Sequence, residues 1–266
     1  KETFLLHFRL TYLAETEVNW CSALGTVLAN DEVVQGVSER GGHPVERKKM
    51  KQWSMRISAY ADRLLVGLDA IDWPEPLKEM QRNWIGKSVG ASVRFGIENS
   101  SRQIEVFTTR PDTLFGVTFL TLAPEHEWVK ELTTPEQKAE VEAYVAQTTQ
   151  RSERERMSEV DRISGVFTGA YALHPITAQK VPIWIGDYVL AGYGTGAVMA
   201  VPCGDQRDFN FATHFGLPIK NIFKDVDLSE GAYADKENTV IANSDFLDGL
   251  SYTEATQKVI EYLSEN

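Results

Sequence analysis

Only two of the 266 residues are cysteine, Cys21 and Cys203. That is too few for a disulfide framework, and both read as reduced thiols of a cytoplasmic protein. Neither has a second cysteine two or three residues away, so they cannot build a zinc site unaided. Histidine is as sparse: His7, His43, His126, His174 and His214 share no ligand spacing and stand beside no nucleophile. Each reads as a surface or packing residue. Long apolar runs are missing too. The best stretch, Tyr188 to Val201, is interrupted by Gly192, Gly194, Thr195 and Gly196 and falls short of a membrane span. The opening Lys1-Glu2-Thr3 shows neither the basic start nor the apolar stretch of a signal peptide. It also lacks an initiator Met, which suggests a piece of something longer.

Positive charge is short overall. Lys and Arg number 27 against 38 Asp and Glu, a net −11, with a pI of about 5.0. This excludes a protein that binds nucleic acid over its whole surface. The charge is uneven, however: residues 225–266 hold ten acids and two lysines, whereas residues 44–66 hold six basic residues and two acids. A nucleic acid that meets only part of the surface remains open. What is present is ordinary for a folded domain, with 42% hydrophobic and 24% charged residues, which excludes whole-chain disorder.

Residues 4–14 carry apolar groups at helical spacing and predict a helix ending near Glu15. A short irregular segment follows, with a strand-like Val33-Val34. Residues 45–66 again predict a helix, with Trp53, Ile57, Tyr60 and Leu64 on one face. Trp73-Pro74-Glu75-Pro76 is the clearest break and reads as a linker into the main body. Beyond it, Val89 to Ile97 and Gln103 to Thr109 alternate as strands, and Asn99-Ser100-Ser101 between them makes a hairpin. Pro135 to Arg162 reads as one long polar helix with a solvated face. Val181 to Ile185 and Tyr188 to Val201 are expected as buried strands, and Asp205 to Phe215 as a helix closed by Gly216. Strands outnumber helices and the connections are irregular, which favours a β-barrel with helices around it over a doubly wound sheet.

Three segments could carry chemistry, and each has a plainer reading. In Thr108-Thr109-Arg110-Pro111-Asp112-Thr113, hydroxyls at a strand end could bond a ligand hydroxyl or a water. They could equally be a threonine-rich strand before a Pro-Asp turn. The run Gly194-Thr195-Gly196-Ala197 lacks the GxxxxGK[ST] phosphate cradle; its small residues let a backbone or ligand approach a buried strand. In Asp205-Gln206-Arg207-Asp208, two carboxylates at a strand-to-helix junction could bind an ammonium group or orient water. Alternatively, Asp205 is the helix N-cap and Asp208 a first-turn acid.

Together these segments resemble the editing domain of bacterial-type leucyl-tRNA synthetase. The resemblance rests on T-T-R-P-D-T-L-F-G at 108–116, S-E-R-E-R-M-S-E-V-D at 152–161, G-V-F-T-G-A-Y-A at 165–172, G-T-G-A-V-M-A-V-P at 194–202 and D-Q-R-D at 205–208. It extends to V-N-W-C at 18–21, A-Y-A-D-R-L-L at 59–65 and W-P-E-P-L-K-E-M-Q-R-N-W-I-G-K-S at 73–88, in order along nearly the whole chain. The synthetic motifs H-x-G-H and K-M-S-K-S are absent, so no leucyl-adenylate would be made here. The resemblance implies an α+β fold centred on a β-barrel. It divides the chain at 72/73 into a flanking helix plus a degenerate zinc-ribbon-like subdomain (1–72) and the editing barrel (73–266). The helix at 4–14 and one near 253–263 would be the flanks where the insertion leaves and re-enters a catalytic domain.

The same resemblance implies hydrolysis of the ester joining a wrong amino acid, norvaline or isoleucine, to the 3′-terminal adenosine of leucine tRNA. Asp208 would bind the substrate α-ammonium. Thr108 and Thr109 would hold the ribose, the carbonyl or the attacking water. Arg110 would place the terminal phosphate or stabilise developing negative charge, and Thr113 would be the sieve against leucine. Leu190, Tyr193, Met199 and Val201 would form the pocket wall and adenosine platform, with Asp205 also lining the substrate site. Partners would be the aminoacylated end of the tRNA and the rest of a monomeric cytoplasmic synthetase, with no membrane. This piece would take no cofactor, ATP and Mg serving only the absent synthetic site. Zinc-binding relatives have C-x-x-C pairs after V-N-W. Here Cys21 is followed by Ser22-Ala23-Leu24 and only His43 lies near, so the metal is expected to be lost. Gly204 stands where many relatives have His before D-x-x-D, and Cys203 is expected to be a bystander. A module that docks the tRNA end without hydrolysing it is the competing class.

Overall fold

A long antiparallel pairing of two strands distant in sequence makes the first sheet. Thr11–Cys21 (β1) and Glu46–Met55 (β5) pair antiparallel from Thr11 opposite Met55 to Trp20 opposite Glu46. The register sets Glu15 across from Lys51 and Glu17 across from Lys49, and Glu17 pairs diagonally with Arg47 at 3.3 Å, a cross-strand contact of opposite charges. Thr26–Leu28 (β2) adds to the other edge of β1, and Val33–Val34 (β3) pairs with Val37–Ser38 (β4). The helix expected over 4–14 is therefore replaced by strand from Thr11 onward, and the first half of the helix expected over 45–66 is β5. The reason is long-range. Thr11, Tyr12, Thr16, Val18 and Trp20 suit an extended chain, and their partner strand lies some thirty residues away, out of reach of any local spacing rule.

The computed structural model describes residues 4, 5, 8–149, 151, 153–159, 162–192 and 194–265, and these fall into two units, Lys1–Val89 and Gly90–Asn266. The expected division at 72/73 lies inside the first unit. There the Trp73-Pro74-Glu75-Pro76 break does not lead into the second unit. It opens the helix Glu75–Ile85 (α2), with Pro74 at the N-cap and Pro76 in the first turn, where a missing N–H costs nothing. Ala61–Ala70 (α1) is the part of the second expected helix that forms.

The second unit is built on a six-stranded sheet. Ala91–Ile97 (β6) and Gln103–Thr108 (β7) make the expected hairpin, with Asn99 in the left-handed region at φ 59°. Phe119–Leu122 (β8), Gly165–Leu173 (β9), Lys180–Gly186 (β10) and Ala197–Ala200 (β11) complete the order β11-β8-β10-β9-β6-β7, in which only β8 and β10 run parallel. The α+β class holds. The ladder is open, with β11 and β7 as its edges, where a barrel was expected; those two edge strands nevertheless lie against each other. The strand expected over 188–201 shrinks to β11, because residues 187–192 turn and bend and Gly194 and Gly196 take positive φ. The long polar helix becomes Lys138–Thr148 (α4) and Glu153–Ser158 (α5), preceded by the short Val129–Leu132 (α3).

β8 is buried at all four positions because both faces of the sheet are covered. Leu120 and Leu122 belong to the main core, which includes Ala255 and Val259 of Tyr252–Glu265 (α7). Phe119 faces a second cluster with Phe211 and Ala212 of Gln206–Phe215 (α6). Phe211 is the hub of that cluster: its ring stacks on Phe119 at 5.1 Å and meets Trp184, Tyr188 and Phe215 within 5.7 Å. Truncating it to alanine in a site this crowded should cost about 3–5 kcal/mol. Urea denaturation of Phe211→Ala checks this; a loss under about 1 kcal/mol would mean that α6 is not anchored through this ring.

Candidate active site

The strand end Thr108 and the turn after it are braced from within their own motif. Thr108 Oγ1 accepts the Arg110 amide at 3.0 Å, which leaves the threonine proton free for another acceptor. The Arg110 carbonyl accepts the Thr113 amide at 3.1 Å and the Thr113 hydroxyl at 2.8 Å. Its guanidinium grips Asp112 with two donors, Nε at 3.0 Å and Nη2 at 2.8 Å, and lies 5.1 Å from the Tyr252 ring centre. Asp112 is fully buried, so this is a bidentate pair with little water to compete for it. Behind the turn, buried His174 bonds the Leu114 carbonyl at 2.9 Å through Nε2. Its Nδ1 accepts the amides of Ile176 and Thr177, so this histidine is packing, as its sequence context suggests. Gly90 faces the other side of the strand end: a Cβ there would overlap the Thr108 carbonyl oxygen.

Across from this turn stands the start of α6. Asp205 is its N-cap, with Oδ1 accepting the Arg207 amide at 2.9 Å and the Asp208 amide at 3.1 Å, so the plainer reading of Asp205 holds. Asp208 does something else. Its Oδ2 leaves the helix to accept the Val201 amide at 2.8 Å, and the carboxyl lies near the Tyr188 phenol. The Tyr188 hydroxyl in turn shares a hydrogen bond with the Thr121 hydroxyl at 2.9 Å. Asp208 is only 7% exposed. Burial, reinforced by the negative charge of Asp205, pushes its pKa up to about 8. At neutral pH this carboxyl is thus largely protonated and would ionise on meeting a cation.

One cleft of about 570 Å³ joins the two halves. It brings together Thr108, Thr109, Arg110, Thr113, Leu190, Met199, Val201, Asp205 and Asp208, all named from sequence; Tyr193 lies outside the described residues. Arg207 of the D-Q-R-D junction borders it too, as do Arg156, Tyr188, Val189 and Val198, which were not anticipated. Tyr188 and Val189 fell in a run read as continuous strand, and Arg156 in a run read as solvated helix. Gly204 is at the cleft as well, and a Cβ there would meet only ordinary contacts with Phe223 and Val201, so the backbone does not require glycine. Cys203 is buried and its thiol is pushed up to about 11 by burial. It is a thiol, not a thiolate, at neutral pH, as suits a bystander.

The raised pKa of Asp208 has a consequence for stability. Between an ordinary value of 3.8 and about 8, the folded chain holds a proton that the unfolded chain has lost. This group's contribution therefore falls as pH rises through that window. Asp208→Asn removes the titration and keeps an acceptor for Val201. Its urea midpoint should decline less than the parent's from pH 5 to pH 8 and should exceed the parent's at pH 8. Parallel pH curves for the two proteins would place Asp208 at an ordinary carboxylate pKa.

Comparison with known proteins gives the same answer from three directions. The profile of the family described as leucyl-tRNA synthetase, editing domain, matches residues 82–264. Leucine–tRNA ligases of Christiangramia forsetii and Flavobacterium johnsoniae are 71% and 68% identical over 98% and 100% of the chain, which corresponds to 27% and 28% of their own lengths. The chain thus spans little more than a quarter of the relatives it matches. In the solved ternary complex of Agrobacterium radiobacter K84 agnB2 LeuRS with tRNA and LeuAMS, a region making up 30% of that chain superposes on 99% of this one, with a TM-score of 0.71 and 37% identity. With its threonine-rich turn and its D-Q-R-D helix start on one cleft, the chain belongs to the editing-domain family of leucyl-tRNA synthetases.

Proposed function

We propose that the chain performs the proofreading hydrolysis of a leucine–tRNA ligase, cleaving a wrong amino acid from the 3′-terminal adenosine of leucine tRNA. The supporting observation is the buried carboxyl of Asp208 set on one cleft with the braced hydroxyls and guanidinium of residues 108–113. The need for such a site is physical: a pocket distinguishes side chains that differ by one methylene by only ~1–3 kcal/mol. The β-barrel centre implied by the resemblance would come from the curl that lays β7 against β11, since the cleft is bordered by both strands.

In this reading Asp208 ionises as the substrate α-ammonium docks, a charge-assisted contact that anchors the amino acid. Water attacks the ester carbonyl carbon, the bond to the ribose oxygen breaks, and that oxygen takes up a proton. Thr108 and Thr109 orient the water or the ribose. Arg110, held rigid by Asp112, presents positive charge where the carbonyl oxygen becomes negative or where the terminal phosphate lies. Water is the only co-reactant the step requires. Thr113 has spent its hydroxyl on the Arg110 carbonyl, so its methyl is what remains to crowd a γ-branched side chain. Leu190, Met199 and Val201 complete the wall and the adenosine platform, with the cap Asp205 beside them. The partners are the aminoacylated tRNA end and the rest of a monomeric cytoplasmic synthetase. No helix among the described residues is long and apolar enough to cross a membrane.

Deacylation of norvalyl-tRNA by the full-length protein tests the reading against mere docking of the tRNA end. Asp208→Ala should abolish it with the fold intact; an unchanged rate would remove Asp208 from the anchoring role. Thr113→Ala should begin to hydrolyse correctly charged leucyl-tRNA, because overpacking of about one methyl ordinarily costs ~1–3 kcal/mol. Thr113→Tyr should block the pocket so that norvalyl-tRNA survives. If Thr113→Ala leaves leucyl-tRNA untouched, the sieve lies elsewhere on the wall.

A further inference from the structure

Arg156 belongs to a run of acids and arginines on a short helix, a composition that ordinarily marks a solvated face. Its side chain is instead only 1% exposed, and the guanidinium is spread over three acceptors. Nε donates to the Asp187 carbonyl at 2.7 Å, Nη2 to the Val189 carbonyl at 2.6 Å, and Nη1 to Glu125 Oε1 at 2.6 Å. Burying an arginine is costly unless every contact is well made, so its place needs a reason. The two carbonyls supply one. They flank Tyr188 in a turn that follows β10 and belongs to no strand. A planar fork can hold two carbonyls and a carboxylate at once, which a point charge cannot.

The turn held in this way is a wall of the cleft. Val189 and Leu190 border it, and so does Tyr188 between the clamped carbonyls, whose phenol lies near the Asp208 carboxyl. The residue before it is fixed as well: the Asp187 amide donates to the Tyr144 hydroxyl at 2.9 Å, and its carboxylate accepts from Arg151 at 2.6 Å. We infer that Arg156 is a positioning residue for specificity. It keeps Val189 and Leu190 at the distance that excludes leucine and holds Tyr188 beside Asp208, acting through the two carbonyls that it clamps. The inference rests on the proposed hydrolysis, since it concerns the wall of that site.

A wall of this kind separates side chains differing by one methylene by roughly 10–200-fold, and freeing the turn gives up part of that. The test uses the full-length protein and measures deacylation of norvalyl-tRNA and of leucyl-tRNA, with thermal unfolding of each variant alongside. Arg156→Gln, which keeps a donor for Glu125 but cannot span both carbonyls, should reduce the norvalyl-to-leucyl rate ratio about tenfold or more. Partial unfolding would lower both rates in the same proportion and leave their ratio unchanged. Should Arg156→Gln fail to fold, Arg156→Lys keeps the charge opposite Glu125 and should still reduce the ratio. A folded variant with the parental ratio overturns the role of Arg156 while leaving the hydrolytic reading intact. A parent protein that releases no norvaline removes the hydrolytic reading and this inference with it.

Discussion

A carboxyl group almost without water, bonded to the amide of Val201, is the constraint around which the second unit is arranged. Asp208 sits in the first turn of α6, where the helix dipole favours a negative charge. Yet its oxygen reaches out of the helix to the residue that follows β11. That one bond ties the end of an edge strand to the start of the helix packed on the same sheet. Phe211, one turn further along, supplies the packing that makes the tie durable. The price is a carboxyl kept away from its ordinary ionisation, a perturbation of the kind that clusters at functional sites.

The opposite bank of the cleft is stiff for a different reason. Between Thr108 and Thr113 the chain makes most of its bonds to itself. Two hydroxyls hold the backbone of Arg110, and a buried aspartate holds its side chain. Such a turn needs little from the rest of the molecule except that its strand be in register and that nothing push from behind. His174 secures the rear through the Leu114 carbonyl, and Gly90 leaves room for the Thr108 carbonyl. Rigid donors set before a reaction begins require no reorganisation during it, the condition under which electrostatic stabilisation is most effective.

The first unit follows another logic. Its main sheet is a long ribbon of half-exposed strands paired antiparallel over their length. Trp53 and Trp84 stand largely in solvent. Among its described residues little is buried beyond Cys21, Leu28, Ser38 and Leu68, so it relies on pairing more than on a core.

Several parts of this account were legible in the residues themselves. The D-Q-R-D helix start, its closing glycine, the β6–β7 hairpin and the threonine-rich turn are short-range objects, set by capping, φ preference and alternation within ten residues. Nine of the residues named for the site therefore meet on one cleft. Tertiary structure alone decided the rest. Whether 11–21 and 46–55 would be helix or strand depended on a partner distant in sequence, and helical spacing of apolar groups carries no information about that partner. Whether Tyr188 to Leu190 would be strand or pocket wall depended on an arginine over thirty residues earlier that satisfies their carbonyls. An arginine reads the same in a sequence whether its guanidinium meets water or two buried carbonyls. Only the fold, by removing the water, determines which it is.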